Sequence, residues 1–252
     1  MTLRSLAIAA ARVPALLLGL LPWAFRRLLL RGALVIESRI GGPDAALKRL
    51  FALQDDLDLL IAERATAYGH GANPKHRLTG YHDFFVARIP AGARVLDVGC
   101  GIAEVARSIA ERVPGATVVG IDNDRPRLDL ARARGLPANL TLIEGLAPRD
   151  LPAGRFDVVV LSNVLEHVDD RVGLLKRLAE ACGPARILVR VPLFERDWRL
   201  ALRRELGVDF RSDPTHCIEH TLAEFEAEVA SAGLSVVERQ TLWGEIWAEL
   251  RP

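Results

Sequence analysis

The sequence predicts an α/β protein: a doubly wound, mostly parallel seven-stranded sheet with a C-terminal antiparallel hairpin, preceded by an N-terminal helical extension. Three observations lead there. After Gly92, short apolar strands alternate with helical segments. The strands are nearly continuous runs of Val, Ile and Leu, as expected when helices cover both faces of a parallel sheet. The last two strands are separated only by Trp243-Gly244, a hairpin signal.

The elements follow in order. From Pro43 to about Ala67, Leu47, Leu50, Phe51, Leu57, Leu60 and Ile61 recur at helical spacing, until Gly69, Gly71, Asn73 and Pro74 break the pattern. His70 to His82 is polar and rich in turn residues, and Leu78 to Ile89 predicts a short helix ending at Pro90-Ala91-Gly92. Strands are expected at Arg94–Val98, Thr117–Ile121, Leu140–Ile143, Asp157–Leu161 and Ile187–Val191, with helices at Ala103–Val113, Asp124–Arg134 and Val172–Ala181. Thr221 and Glu224 form a capping-box pattern ahead of a helix that Gly233 ends. Ser235–Leu242 and Glu245–Leu250 complete the hairpin.

The chain is long enough to bury a real core at 252 residues, and its 26% charged share is that of an ordinary globular protein. A net charge of +1 argues against a dedicated nucleic-acid binder, so no nucleic-acid partner is expected. Cys100, Cys182 and Cys217 are too scattered for a disulfide framework or a structural zinc site, and fit a reducing compartment. The start is uneven. Arg4, Arg12, Arg26, Arg27 and Arg31 precede the first acid, Glu37, around an apolar run from Val13 to Phe25 broken by Pro14, Gly19 and Pro22. A spanning helix needs ~20 apolar residues, so this run is too short to cross a bilayer. Three readings stay open: an interfacial helix on a membrane surface, a helix packed on the core or on a second subunit, or a targeting segment. The expected location is cytoplasmic, with peripheral contact through residues 1–40 at the inner face of the membrane under the first reading. Residues 1–77 are read as the extension and 78–252 as the catalytic domain, with an insert at about 193–220.

The most informative segment is Arg94-Val95-Leu96-Asp97-Val98-Gly99-Cys100-Gly101. A glycine pair after a parallel strand lets backbone approach a ligand, and the following helix offers its N-terminal N–H groups. The NAD fingerprint requires Gly or Ala three residues after the second glycine, and Glu104 stands there instead. With Asp97 two residues before Gly99, the turn resembles that of the class I S-adenosylmethionine-dependent methyltransferases of small-molecule type. The resemblance covers roughly Leu78 to Leu250 and includes the parallel sheet with its terminal hairpin. It implies S-adenosylmethionine as cofactor, with Asp97, Gly99 and Gly101 around the methionine moiety. Ala103 stands where the family often has a third glycine, which implies a slightly tighter pocket.

The strand Val118-Val119-Gly120-Ile121 ends at Asp122, where a carboxylate can accept both ribose hydroxyls. Asn123 would lie beside the adenosine, and Asp124 reads as a helix cap. Ile143-Glu144-Gly145-Leu146 places Gly145 and Leu146 at the adenine edge. Many relatives carry an acid at the Leu146 position, so contact there falls to the Leu146 N–H or to its side chain.

The fourth strand runs into Ser162-Asn163-Val164-Leu165-Glu166-His167-Val168. By the resemblance, Ser162 and Asn163 line the cofactor floor. His167 is a candidate general base near neutral pH, or else orients the following loop. In the insert, Asp213, His216, Glu219 and His220 have a spacing suited to a metal, a base or a helix cap; the reading assigns no metal and takes His216 with His167 as the catalytic candidates. The Asn/Asp-Pro-Pro-Tyr pattern of amino-group methyltransferases is absent from the sequence. The expected activity is O-methylation of a small molecule, a sugar or a lipid-linked intermediate. Its alternatives are a non-catalytic cofactor-binding or scaffold protein and, less favoured, an NAD-dependent oxidoreductase.

Overall fold

The computed structural model describes residues 18–70, 73–147 and 149–252. The described residues divide into two compact units, one reaching Ala65 and joined by Leu206–Val208, the other comprising Thr66–Glu205 and Asp209–Pro252. Residues 13–17 of the apolar run predicted at Val13 to Phe25 lie outside the described residues.

In the first unit, helix α1 (Trp23–Glu37) is followed by the long helix α2 (Pro43–Tyr68), whose last turn passes into the second unit. Pro43 opens α2 where its missing N–H costs nothing, and Asp44 complements the helix dipole. The Arg49 guanidinium donates to the Glu37 carboxylate and to its carbonyl, both at 2.8 Å, and so ties the two helices. Helix α1 buries none of its residues.

The second unit holds a seven-stranded sheet in the order β3-β2-β1-β4-β5-β7-β6. Its strands are β1 (Arg94–Val98), β2 (Thr117–Asp122), β3 (Leu140–Glu144), β4 (Val158–Ser162), β5 (Arg186–Pro192), β6 (Ser235–Leu242) and β7 (Glu245–Arg251). The first five pair in parallel, while β7 runs antiparallel to both β5 and β6. Alternation along each strand splits the core into two layers. Val95, Val158, Val160 and Leu188 face one side, with helices α4 (Tyr81–Val86) and α5 (Glu104–Arg112). Leu96, Val159, Leu161 and Val189 face the other, with α7 (Arg171–Cys182) and α9 (Leu222–Ser231), between which the chain forms α8 (Trp198–Glu205). Helix α6 (Arg125–Ala133) joins β2 to β3 and adds Leu128 and Ala131 to the first layer.

The helix predicted from Leu78 to Ile89 is instead two pieces, α3 (Lys75–Leu78) and α4, because Gly80 takes a left-handed φ of 64° between them. The capping box of Thr221 and Glu224 is formed, and Asp124 caps α6 through the Arg127 N–H at 3.0 Å. Trp243 and Gly244, with φ of 56° and 76°, make the two-residue turn of the hairpin. Among the described residues no helix is long and apolar enough to cross a membrane.

Strand order reverses between β1 and β4, with β2 and β3 to one side and β5 to the other. In a sheet of this kind the crevice at the carboxyl ends of the strands beside such a reversal is the natural ligand site.

Candidate active site

The chain leaves β1 through a turn that only small residues can make. Gly99, Gly101 and Ala103 all have left-handed φ, at 66°, 55° and 60°. A Cβ on Gly99 would stand 2.7 Å from Val164 Cγ2, so any side chain there is excluded. The N–H groups of Gly99 and Cys100 both donate to the Ile121 carbonyl, at 2.8 and 3.1 Å, and pin the turn against the end of β2. Asp97, only 2% exposed, ends its side chain beneath this turn with Oδ2 unpartnered. Burial pushes its pKa up to about 7, the charge of Asp122 adds to the rise, and a backbone hydrogen bond from Ala106 opposes it.

Asp122 is buried at the end of β2. Its Oδ2 accepts from the Gly101 N–H at 2.7 Å and its Oδ1 from the Asp124 N–H at 2.8 Å. The ribose acid of the sequence reading is thus also a strut holding the glycine turn, with lone pairs left on each oxygen. Asn123 beside it is exposed. The Gly145 N–H donates to the Asp122 carbonyl at 2.9 Å, which places the end of β3 next in line. The Leu146 N–H donates to Asp150 Oδ2 at 3.0 Å, so of the two contacts offered by Leu146 it is the side chain, exposed, that stays free. Asp150 folds back close enough that a Cβ on Gly145 would meet its Cβ at 2.9 Å. Asp150, four residues later in the chain, thus brings a carboxylate beside the Leu146 backbone. Sequence reasoning missed it because a loop, not a strand, carries it there.

Beyond β4 the backbone turns at Asn163, whose φ of 57° is left-handed and whose N–H donates to the Arg190 carbonyl at 2.8 Å. Ser162 Oγ accepts from Arg190 at 3.2 Å. Arg190 is 4% exposed, pairs with both oxygens of Glu245 at 2.6 Å, and lies over the Tyr81 ring at 3.7 Å. The Tyr81 hydroxyl contacts His76 Nδ1 at 2.5 Å, and burial holds His76 below its ordinary pKa. From the sequence Arg190, Arg196 and Arg199 could pair with an anionic acceptor or stay solvated; in the fold they pair with Glu245, Glu219 and Asp197, and the His76–Tyr81 contact beside Arg190 went unread.

The insert after β5 closes at its base, where Phe194 N–H donates to the His220 carbonyl at 2.7 Å and Leu193 bridges His220. It then reaches back to the turn after β4. Cys217 N–H donates to the Glu166 carbonyl at 2.6 Å, and Thr215 Oγ1 meets His167 Nδ1 at 3.0 Å. The His167 and His216 rings stand edge to face, centroids 4.6 Å apart at 80°. Both predicted catalytic histidines therefore share one corner of the site. His167 is exposed and His216 is buried. Burial and the neighbouring His216 hold the His167 pKa down, against the pull of Thr215 and Asp213.

The predicted quartet Asp213, His216, Glu219 and His220 does not assemble as a unit. Asp213 accepts from Thr215, His220 Nε2 pairs with Glu228 at 3.0 Å, and Glu219 takes His216 Nδ1 at 2.9 Å with Ser212 and Arg196. Burial opposes ionisation of Glu219, but the hydrogen bonds from His216, Arg196 and Ser212 outweigh it and bring its pKa to about 2. The side chain that joins the two histidines is instead Glu166, fully buried, which accepts from Asn163 Nδ2 at 2.7 Å.

These residues fit a cofactor with a cationic amino end and a ribose. Asp97 offers a buried unpartnered oxygen, Asp122 a fixed carboxylate, and Gly99 a backbone that no Cβ obstructs. Comparison with known proteins agrees. A family model described as a methyltransferase domain matches residues 68–239. The chain is 41% identical over 99 residues to a ubiquinone biosynthesis O-methyltransferase of Hahella chejuensis, covering 37% of this chain and 40% of that one. It is 38% identical over 103 residues to a trans-aconitate 2-methyltransferase of Deinococcus radiodurans, covering 40% and 38%. The matched segments thus span about two fifths of those relatives' length. Among solved structures, mitomycin 7-O-methyltransferase superposes with a TM-score of 0.56 at 23% identity, covering 73% of this chain and 56% of that one. An O-methyltransferase from neocarzinostatin biosynthesis, solved with S-adenosylmethionine and 2-hydroxy-5-methyl naphthoic acid, gives 0.55 at 24%, covering 79% and 57%. With the family model spanning more than half its length, the chain belongs to the methyltransferase-domain family of class I S-adenosylmethionine-dependent enzymes.

Proposed function

We propose that this chain transfers a methyl group from S-adenosylmethionine to a hydroxyl oxygen of a small molecule, with sugars and lipid-linked intermediates among the acceptor classes. The observation that carries the reading is the meeting of two histidines and a buried glutamate at the carboxyl end of β4, beside the turn held by Asp122. The O-methyltransferases among the relatives support a hydroxyl acceptor.

When bound, the cofactor supplies an electrophilic methyl group on a sulfonium. Asp97 would face its amino end, and Asp122 its ribose through the lone pairs that Gly101 and Asp124 leave open. Gly145, Leu146 and Asp150 would border the adenine, Asn123 the adenosine, and Ser162 and Asn163 the floor. The acceptor hydroxyl must lose its proton as its oxygen attacks, and His167 and His216, whose rings meet edge to face, would receive it. Holding the oxygen in line with the methyl supplies the rest, since orientation accounts for much of such a barrier. Transfer of labelled methyl from the cofactor to a panel of phenols, carboxylic acids, sugars and prenyl-linked hydroxyls tests the reading. Transfer to a hydroxyl, lost in His167→Ala and His216→Ala, is the expected result. Cofactor binding without transfer to any of them would instead mark a non-catalytic binder.

A second reading concerns location. On α1, Phe25, Leu28, Leu29, Val35 and Ile36 fall on one face and are all exposed, while Arg26, Arg27 and Arg31 fall on the other together with the exposed Trp23, Leu30 and Leu34. An exposed apolar helix whose only charged residues before Glu37 are arginines suits the surface of an anionic bilayer. This supports peripheral membrane contact through the first forty residues, which would bring the enzyme to a lipid-linked or otherwise apolar acceptor.

A further inference from the structure

The corner at the end of β4 holds more acceptors than a simple acid–base pair requires. Glu166 is fully buried, and while its Oε1 takes the Asn163 amide, its Oε2 has no partner. Burial raises its pKa, partly opposed by that hydrogen bond and by His216 and His220. A buried carboxylate oxygen left alone is costly, and a positive charge beside it removes the cost.

The hydrogen bonds around it fix what the two rings present. The Thr215 hydroxyl donates its one proton to Asp213 Oδ1 at 2.6 Å, so toward His167 Nδ1, at 3.0 Å, it is the acceptor. His167 therefore carries its proton on Nδ1 and a lone pair on Nε2. His216 Nδ1 lies 2.9 Å from Glu219 Oε1, and a carboxylate only accepts, so His216 also protonates Nδ1 and bares Nε2. One donor atom from each of Glu166, His167 and His216 lies within 4.8 Å of the other two. Each of the three side chains thus has an acceptor atom to offer: the Nε2 lone pair of each imidazole and the unpartnered Oε2 of Glu166.

We propose that Glu166, His167 and His216 form a binding site for a divalent first-row transition-metal ion. Bond lengths of ~2.1 Å would bring the donor atoms to roughly 3–3.5 Å from one another, a closure within reach of side-chain rotation. Two imidazoles and one carboxylate select Mn²⁺, Fe²⁺, Co²⁺ or Zn²⁺ over Mg²⁺ and Ca²⁺, which take oxygen ligands. Glu219 behind His216, and Thr215 with Asp213 behind His167, are the outer groups that orient ligating imidazoles in such sites. Three protein ligands leave coordination positions open, and His167 is exposed, so the ion is reachable from solvent. Resting on the methyltransferase reading, the open position would take the acceptor's hydroxyl oxygen, whose proton leaves to water as its pKa falls. With the ion bound the histidines hold it, and the direct proton acceptance described above belongs to the ion-free protein. The site itself stands independently of that reading.

The test uses the untagged full-length protein stripped by chelator, with Co²⁺ absorption and Zn²⁺ calorimetry as readouts and neither cofactor nor acceptor present. One ion per chain is expected in the wild type. Affinity should fall more than about 100-fold in His216→Ala and Glu166→Gln and about 10- to 100-fold in Glu219→Gln, with folding checked by circular dichroism. Failure of the wild type to bind either ion at millimolar concentration would overturn the proposal. So would undiminished binding by the His216 and Glu166 variants, or ring NMR showing a proton shared between Glu166 and a histidine in place of the ion. Binding without any methyl transfer would leave the metal site intact and remove the methyltransferase reading alone.

Discussion

The His216 ring, carried by the insert after β5, stands edge-on to the His167 ring at the end of β4, 4.6 Å between centroids. This contact joins the insert after β5 to the turn after β4. Glu219 holds the His216 ring through Nδ1 and is itself held by Ser212 and Arg196.

Glu219 should make the protein sensitive to acid. Its folded pKa of about 2 lies below the ordinary value of 4.5, so its contribution to stability is present above pH 4.5 and is lost as pH falls through about 2. The shift corresponds to about 3 kcal/mol. Urea unfolding at neutral pH should therefore show Glu219→Gln less stable than wild type by about 2–3 kcal/mol, with the gap narrowing below about pH 4. A gap independent of pH would remove this role.

Asp97 runs the opposite way. Its folded pKa of about 7 is above the ordinary 3.8, so the protonated form is favoured in the fold and stability declines as pH rises from 3.8 through about 7. Cofactor binding needs the charged form if Asp97 receives a cationic amino group. Affinity for S-adenosylmethionine should then rise between about pH 6 and about pH 8 in the wild type and be weaker and flat in Asp97→Asn. Calorimetry across that range decides it, and an identical profile in the variant would exclude Asp97 from the amino site.

Ala103 holds a left-handed φ of 60° at the start of α5, where a side chain is disfavoured. Ala103→Gly should relieve that strain and raise stability by about 0.5–1 kcal/mol in denaturant unfolding. A loss of stability would mean that the buried methyl group contributes more than the strain costs.

If α1 meets a bilayer, full-length protein should sediment with anionic vesicles more than with neutral ones, and less as salt rises. Arg27→Glu with Arg31→Glu should weaken that binding, and Leu29→Asp should abolish it. Equal sedimentation of all three proteins would refute the membrane reading and leave a protein partner for the exposed face.

Most of the sheet was legible in the sequence because buried parallel strands are written as apolar runs, and β1 was read to its observed limits, Arg94–Val98. Local signals were read correctly where they were chemical, as with the Thr221–Glu224 box and the Asp124 cap. The Gly80 break was missed because a single glycine within a helical pattern is ambiguous until its φ is seen. The site was legible only where a motif lies in one stretch of chain, as from Asp97 to Gly101. Asp150, Tyr81 and Arg190 join it through folding across elements, and no spacing in the sequence announces that. Glu166 stood next to His167 in the sequence, but its buried unpartnered oxygen belongs to the fold alone.

The central claim is that the turn at Asp97 to Gly101, held by Asp122, receives S-adenosylmethionine. Calorimetry of S-adenosylmethionine and of NAD against wild type, Asp122→Asn and Asp122→Ala tests it most directly. The account predicts one S-adenosylmethionine per chain, no NAD binding, and a loss of about 1–3 kcal/mol in Asp122→Ala while the protein stays folded. Tight binding of NAD with no binding of S-adenosylmethionine would contradict it.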